Sequence, residues 1–282
     1  MTMPHTISEA LSLARQRLEA LTDTPTLDAQ VLLGDIVRRP RAWLLAHGEA
    51  ALEADQSMQW MQALERLESG EPLPYVLGWW EFFGRRFMLT PQVLIPRPET
   101  EYLVDAALAW LAGQPKGQQV LDLGTGSGCI AVSLALEGEG LRIVASDRHL
   151  EALKVAQQNL RYYDLQDQIA LLQADLLTPL VGRFELICAN LPYIPSATLA
   201  ELPVGQREPL SALDGGRDGL DFIRKTMGSL PRHLVEGGLA LFEIEAGQGE
   251  LASRVARQLL PAADVNLRQD LAGRDRLLMV ML

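Results

Sequence analysis

Asn190-Leu191-Pro192-Tyr193, at the end of the apolar run Phe184 to Ala189, is the stretch of this chain best suited to do chemistry. An Asn at the carboxyl end of a buried strand, followed by Pro and an aromatic residue, suits methylation of a planar, non-basic nitrogen. The lone pair of an amide or aromatic-amine nitrogen is delocalised, so that nitrogen is a weak nucleophile. An Asn side-chain oxygen and a nearby backbone carbonyl can accept its two N–H bonds. They then stabilise the charge that develops as the nitrogen pyramidalises toward a methyl donor. The same residues also fit an ordinary turn after a strand, so the upstream segments decide between the two.

Val120-Leu121-Asp122-Leu123-Gly124-Thr125-Gly126-Ser127-Gly128 reads as a strand entering a glycine-rich turn, with a helix over about 129–136. Glycines let the backbone approach a ligand closely, and a helix N-terminus offers it unpaired N–H groups. Asp147 ends the next strand, roughly twenty residues on, where a carboxylate can accept hydrogen bonds from ribose hydroxyls. A dinucleotide would use the same geometry, and a purely structural turn is a third reading. The spacing G-x-G-x-G, rather than G-x-G-x-x-G, favours S-adenosylmethionine, which has no diphosphate to cradle. Asp175 follows the third strand candidate, where it or Leu176 would lie against an adenine; a solvated loop Asp is the competing reading.

These loops need an alternating frame to hold them. Strand candidates lie at 119–123, 142–146, 169–173, 185–189, 238–244 and 276–282, separated by segments of helical period. That alternation predicts a mostly parallel sheet with helices on both faces. Residues 1 to about 70 read as helices without strand signals. Ile7, Leu11, Ala14, Leu18 and Leu21 approximate one helical face, Thr26 or Asp28 is placed to cap a second helix, and a further helix spans about 51–67. Tyr75-Val76-Leu77 and Phe87-Met88-Leu89 flank Trp79-Trp80-Glu81-Phe82-Phe83-Gly84, which reads as a β-hairpin linker. Its aromatic residues suit a binding surface or a core equally. Arg97, between two prolines, suits a brace for the cofactor pocket or, preferably, a fixed joint between domains.

Composition narrows the class. The chain has 282 residues with 48% hydrophobic and 22% charged, the balance of an ordinary soluble globular protein. No apolar run approaches the roughly 20 residues of a membrane span, and Met1 to Arg17 lacks a signal pattern. Cys129 and Cys188 sit in apolar runs and read as reduced core residues, which places the protein in the cytoplasm. A net charge of −11 argues against non-specific nucleic-acid binding. Arg38, Arg39 and Arg41 form a short basic cluster that a solvated helix end explains. The four histidines are scattered; His149, after Asp147, reads as a helix-start residue. Metal-ligand spacings are absent, so no metal is expected.

Taken together, the glycine loop, Asp147, Asp175 and the Asn190 tetrapeptide resemble class I S-adenosylmethionine-dependent methyltransferases acting on amino nitrogens. Gly70-Glu71-Pro72-Leu73-Pro74-Tyr75-Val76-Leu77-Gly78 and Val93-Leu94-Ile95-Pro96-Arg97-Pro98-Glu99-Thr100-Glu101 narrow this. So do Glu208-Pro209, Ala212-Leu213-Asp214-Gly215-Gly216 and Asp270-Leu271-Ala272-Gly273-Arg274-Asp275-Arg276. All resemble the peptide chain release factor glutamine methyltransferases, and the resemblance covers essentially the whole chain. It implies a helical substrate-recognition domain at 1–72, a β-hairpin linker at 73–96, and a Rossmann-like seven-stranded α/β methyltransferase domain at 97–282. The implied reaction methylates the side-chain amide nitrogen (N5) of the Gln in a release factor's Gly-Gly-Gln motif. By position, Gly124, Thr125, Gly126, Ser127, Gly128, Asp147, Asp175, Leu176 and Asn190 contact the cofactor. Asn190, Leu191, Pro192 and Tyr193 hold the Gln, with Tyr193 packed on its amide plane. A monomer without direct nucleic-acid contact is implied.

Two departures from the family stand out. The usual second residue of the tetrapeptide is Pro, and here it is Leu191, which supplies the same carbonyl without the rigid φ of proline. Phe242-Glu243-Ile244-Glu245-Ala246-Gly247-Gln248 differs from the common Glu-Ile-Gly and reads as lying away from the chemistry. The competing functions are a nucleic-acid adenine or cytosine amino-methyltransferase, which would hold a flipped base at the same site, and a non-catalytic binding module.

Overall fold

Apolar positions one helical turn apart organise the first part of the chain. In this computed structural model, which describes residues 3–178 and 180–282, α1 (Ile7–Leu18), α2 (Pro25–Val37), α3 (Arg41–Ala46), α4 (Ala54–Glu68) and α5 (Leu73–Leu77) follow one another. Ile7, Ala10, Ala14 and Leu18 share one face of α1 and pack with Leu32, Leu33, Leu44, Trp60 and Leu64 into one core. Thr6 caps α1 by accepting the Glu9 N–H at 3.2 Å. The N-cap of α2 is Thr24, not Thr26 or Asp28, because Pro25 takes the first helical position that its fixed φ suits.

Tyr75-Val76-Leu77 lies in α5 rather than in a strand, and Gly78 closes that helix at φ 75°. The hairpin starts later, as β1 (Trp79–Phe82) and β2 (Arg85–Met88). Phe83 and Gly84 form its turn, both at positive φ (51° and 67°), as a two-residue hairpin loop needs. Phe82 and Phe87 are buried and meet edge to face with centroids 6.0 Å apart, so these aromatic residues serve a core. Trp79 donates its indole N–H to Asp35 at 2.9 Å.

The chain divides into two compact units, Met1–Trp79 and Trp80–Leu282. The larger contains α6 (Pro98–Leu111), β3 (Gln119–Leu123), α7 (Cys129–Glu137), β4 (Arg142–Asp147), α8 (Leu150–Tyr162), β5 (Ile169–Gln173) and β6 (Phe184–Ala189). It continues with α9 (Ser196–Leu199), α10 (Asp221–His233), β7 (Leu234–Glu243), α11 (Gly249–Leu259), β8 (Asp264–Gln269) and β9 (Asp275–Met281). Among the described residues these strands form one seven-stranded sheet of order β5-β4-β3-β6-β7-β9-β8. The strands from β3 to β7 pair in parallel, and β9 runs antiparallel to both its neighbours. Alternate residues feed two cores. Val120, Leu186 and Cys188 pack with Leu103, Val104 and Leu160 of α6 and α8. Leu121, Leu123, Ile187 and Ala189 pack with Ile223, Met227 and Ala252 of α10 and α11. The sheet is thus covered on both faces, as its near-continuous apolar strands require. Cys129 and Cys188 are free and buried. No helix among the described residues is long and apolar enough to cross a membrane.

Candidate active site

Strand register assembles the site. Leu123 of β3 lies beside Ser146 of β4 and Ala189 of β6, and Asp147 lies beside Gln173 of β5. Gly124, Asp147, Ala174-Asp175 and Asn190 therefore leave the sheet together, at the carboxyl ends of four neighbouring parallel strands. The chain direction across the sheet reverses between β3 and β6, and open α/β sheets bind ligands at that point. A cleft of about 930 Å³, its open mouth included, lies there. Its walls include Gly124, Thr125, Gly126, Ser127, Asp147, Asp175, Leu176, Asn190, Leu191 and Pro192. Of the expected site residues, Gly128 and Tyr193 are not among those lining it.

The glycine-loop side is held mainly by backbone. Gly124 sits at φ 77°, and a Cβ there would come within 3.1 Å of Leu191 Cδ2. The two loops touch because residue 124 has no side chain, and Leu191 is buried in the contact. Its side chain is thus a packing group, a role that no local signal reveals. The Gly124 and Thr125 N–H groups both donate to the Ser146 carbonyl at 2.8 Å. Behind them, buried Asp122 accepts from the Thr125 hydroxyl at 2.6 Å and the Ala131 N–H at 3.1 Å. Burial lifts its pKa to about 7. Asp147 accepts from the Gly126 N–H at 3.1 Å and the His149 N–H at 2.8 Å. A carboxylate accepts up to about four hydrogen bonds, so lone pairs remain for ribose hydroxyls. His149 stands at the N-cap position of α8 and also lines the cleft. Asn159 of α8, fully buried, donates to the Ser127 and Met88 carbonyls and so ties the loop to β2.

The Asn190 side is held by side chains from distant segments. Asn190 Nδ2 donates to Thr100 Oγ1 at 2.9 Å. Among the described residues, neither Asn190 Oδ1 nor the Leu191 carbonyl has a hydrogen-bond partner. The Tyr193 hydroxyl donates to Glu243 Oε1 at 3.1 Å, which anchors the loop, and the side chain is half-buried. Burial is the main cause that lifts Tyr193 above the usual phenol range and Glu243 to about 7. Gln248 Nε2 donates to the Tyr193 carbonyl at 2.8 Å and the Asp218 carbonyl at 3.2 Å. A Cβ at Gly219 would collide with that Tyr193 carbonyl, so the 214–219 segment closes on the loop only with glycine there.

One expectation needs correction. The 242–248 segment does not lie away from the chemistry, since Glu243 and Gln248 grip Tyr193 from behind. Arg97 pairs with buried Glu208, which also accepts the Ile95 N–H at 3.1 Å. This ties the Val93-Leu94-Pro96 wall of the cleft to the segment carrying Ser211 and Ala212 on the same cleft. No cluster of His, Cys, Asp and Glu suited to a metal ion occurs among the described residues.

Comparison with known proteins adds to this geometry. A family model described as the PrmC N-terminal domain matches residues 9–78, and one described as the methyltransferase small domain matches residues 103–203. A release factor glutamine methyltransferase of Moorella thermoacetica is 41% identical over 274 residues, 96% of each chain. One of Bordetella pertussis is 40% identical over 257 residues, 90% of this chain and 93% of that one. Among solved structures, a ribosomal protein L11 methylase from Lactobacillus delbrueckii subsp. bulgaricus aligns with a TM-score of 0.51 at 22% identity, over 68% of this chain and 82% of that chain. The last likeness concerns the fold alone.

Proposed function

The chain belongs to the release factor glutamine methyltransferases, and from that premise we propose that it methylates the N5 amide nitrogen of the Gln in a release factor's Gly-Gly-Gln motif. The observation that carries the reading is the pair of unengaged acceptors on the cleft, Asn190 Oδ1 and the Leu191 carbonyl. S-adenosylmethionine, when bound, supplies an electrophilic sulfonium methyl. Gly124 to Ser127 hold it by close backbone approach, Asp147 by its ribose hydroxyls, and Asp175 and Leu176 at the adenine end.

Asn190 and Leu191 accept the two N–H bonds of the substrate amide and turn its nitrogen toward the methyl. Fixing that orientation lowers the barrier, because a weak nucleophile gains most from alignment. As the nitrogen becomes cationic, the same two acceptors stabilise its N–H bonds. Pro192 keeps the loop after Leu191 in one conformation, while Tyr193, held at both its hydroxyl and its carbonyl, anchors it. No side-chain base is needed before transfer, since the acidity of the N–H bonds rises only once the new bond forms, and the surplus proton then passes to water.

Residues 1–72 serve recognition of the release factor, 73–96 connect, and 97–282 catalyse. The protein works as a cytoplasmic monomer and makes no direct contact with nucleic acid. The test is incubation with labelled methyl donor and either a Gly-Gly-Gln release factor or bulk RNA. Label on the release factor is expected; label on RNA alone, or on neither, would overturn the reading.

A further inference from the structure

We propose that Thr100 is a positioning residue for this reaction, its hydroxyl fixing which end of the Asn190 amide faces the cleft. The inference rests on the role given to Asn190 above. An amide has two ends of similar shape and opposite sense, a carbonyl that accepts and an NH2 that donates. A substrate amide presenting N–H bonds needs the carbonyl end. Shape distinguishes the two ends poorly, and the Thr100 hydroxyl supplies what shape does not. With Nδ2 donating to Thr100 Oγ1 at 2.9 Å, Oδ1 is the end left for a ligand.

A hydroxyl can serve either end, because it donates as well as accepts. Here Thr100 Oγ1 is the acceptor and Asn190 Nδ2 the donor. Thr100 is buried, so water does not compete for that oxygen. The Thr100 hydroxyl also favours the anion of buried Glu243, which agrees with a proton turned away from Asn190.

The experiment compares kcat, KM for a recombinant release factor and S-adenosylmethionine affinity. The unsubstituted protein, Thr100→Val, Thr100→Ser and Asn190→Ala are measured side by side. Thr100→Val is expected to lower kcat roughly tenfold and to leave KM and cofactor affinity near their original values. Thr100→Ser is expected to restore the rate. Thr100→Val matching the unsubstituted protein would overturn the inference, as would Thr100→Ser as impaired as Thr100→Val. Label passing to RNA and not to the release factor would instead overturn the proposed function. Asn190→Ala at full rate would overturn the role of Asn190, and this inference with it.

Discussion

The two sides of the cleft are built in opposite ways. The glycine-loop side is a continuous segment, residues 122–131, held mainly through its backbone, by hydrogen bonds within the loop and to the Ser146 carbonyl, Asp147 and Asn159, with buried Asp122 beneath it. The Asn190 side is a tetrapeptide held by Thr100, by Glu243 and Gln248 of the 242–248 segment, and by the 214–219 loop, three separate places in the chain. A local loop suits a ligand whose shape does not change between reactions of different enzymes. A loop fixed by remote side chains suits an acceptor that must be oriented to a fraction of an ångström, because each anchor removes one way for it to move.

This contrast can be broken by substitution. The largest effect is expected for Asn190→Ala, which removes a preorganised acceptor and should lower methyl transfer by roughly two orders of magnitude or more. Cofactor binding, measured by calorimetry, should survive. Asp147→Ala should do the reverse. It removes charged hydrogen bonds worth about 1.5–3 kcal/mol, so cofactor affinity should drop by roughly ten- to a hundred-fold, and unchanged affinity would remove the ribose assignment. Gln248→Ala sharpens the comparison, because it frees the Tyr193 carbonyl and the Asp218 carbonyl without touching the glycine loop. Transfer should fall by roughly tenfold while cofactor affinity holds; equal losses in both would show that the two sides are not independent.

The smallest effect concerns stability and pH. Asp122 ionises near 7 in the folded protein because of burial, against about 3.9 in an unfolded chain. Below the lower value both states are protonated, and above the higher one the folded state carries a buried charge. Its contribution to stability therefore falls as pH rises from about 4 to about 7. Glu243, raised by the same cause, acts with the same sign. Asp122→Asn should flatten the decline of Tm between about pH 5 and about pH 8, leaving the part due to Glu243. An unchanged slope would remove Asp122 from that account.

The difference between the two sides also explains what the sequence made legible. The glycine loop, Asp147 and Asn190 each follow a strongly apolar strand, so their places could be read from local pattern. Strand β8, with Val265 its buried residue at the sheet edge, has no apolar run to announce it. Tyr75-Val76-Leu77 is too short for period to tell strand from helix, and only Gly78 at positive φ marks the helix end. Thr100, Glu208, Glu243 and Gln248 gain their roles from partners 50 to 113 residues away, which no local window contains. Leu191 packs its side chain on Gly124. Its carbonyl is the part the chemistry uses.

A glutamine side-chain amide as methyl acceptor leaves a mass signature that tandem mass spectrometry reads on a release factor incubated with the protein and S-adenosylmethionine. A single added methyl is expected on the side-chain nitrogen of the Gly-Gly-Gln glutamine, absent when Asn190→Ala replaces the unsubstituted protein. A methyl on any other residue, or on nucleic acid with the release factor unmodified, would contradict it.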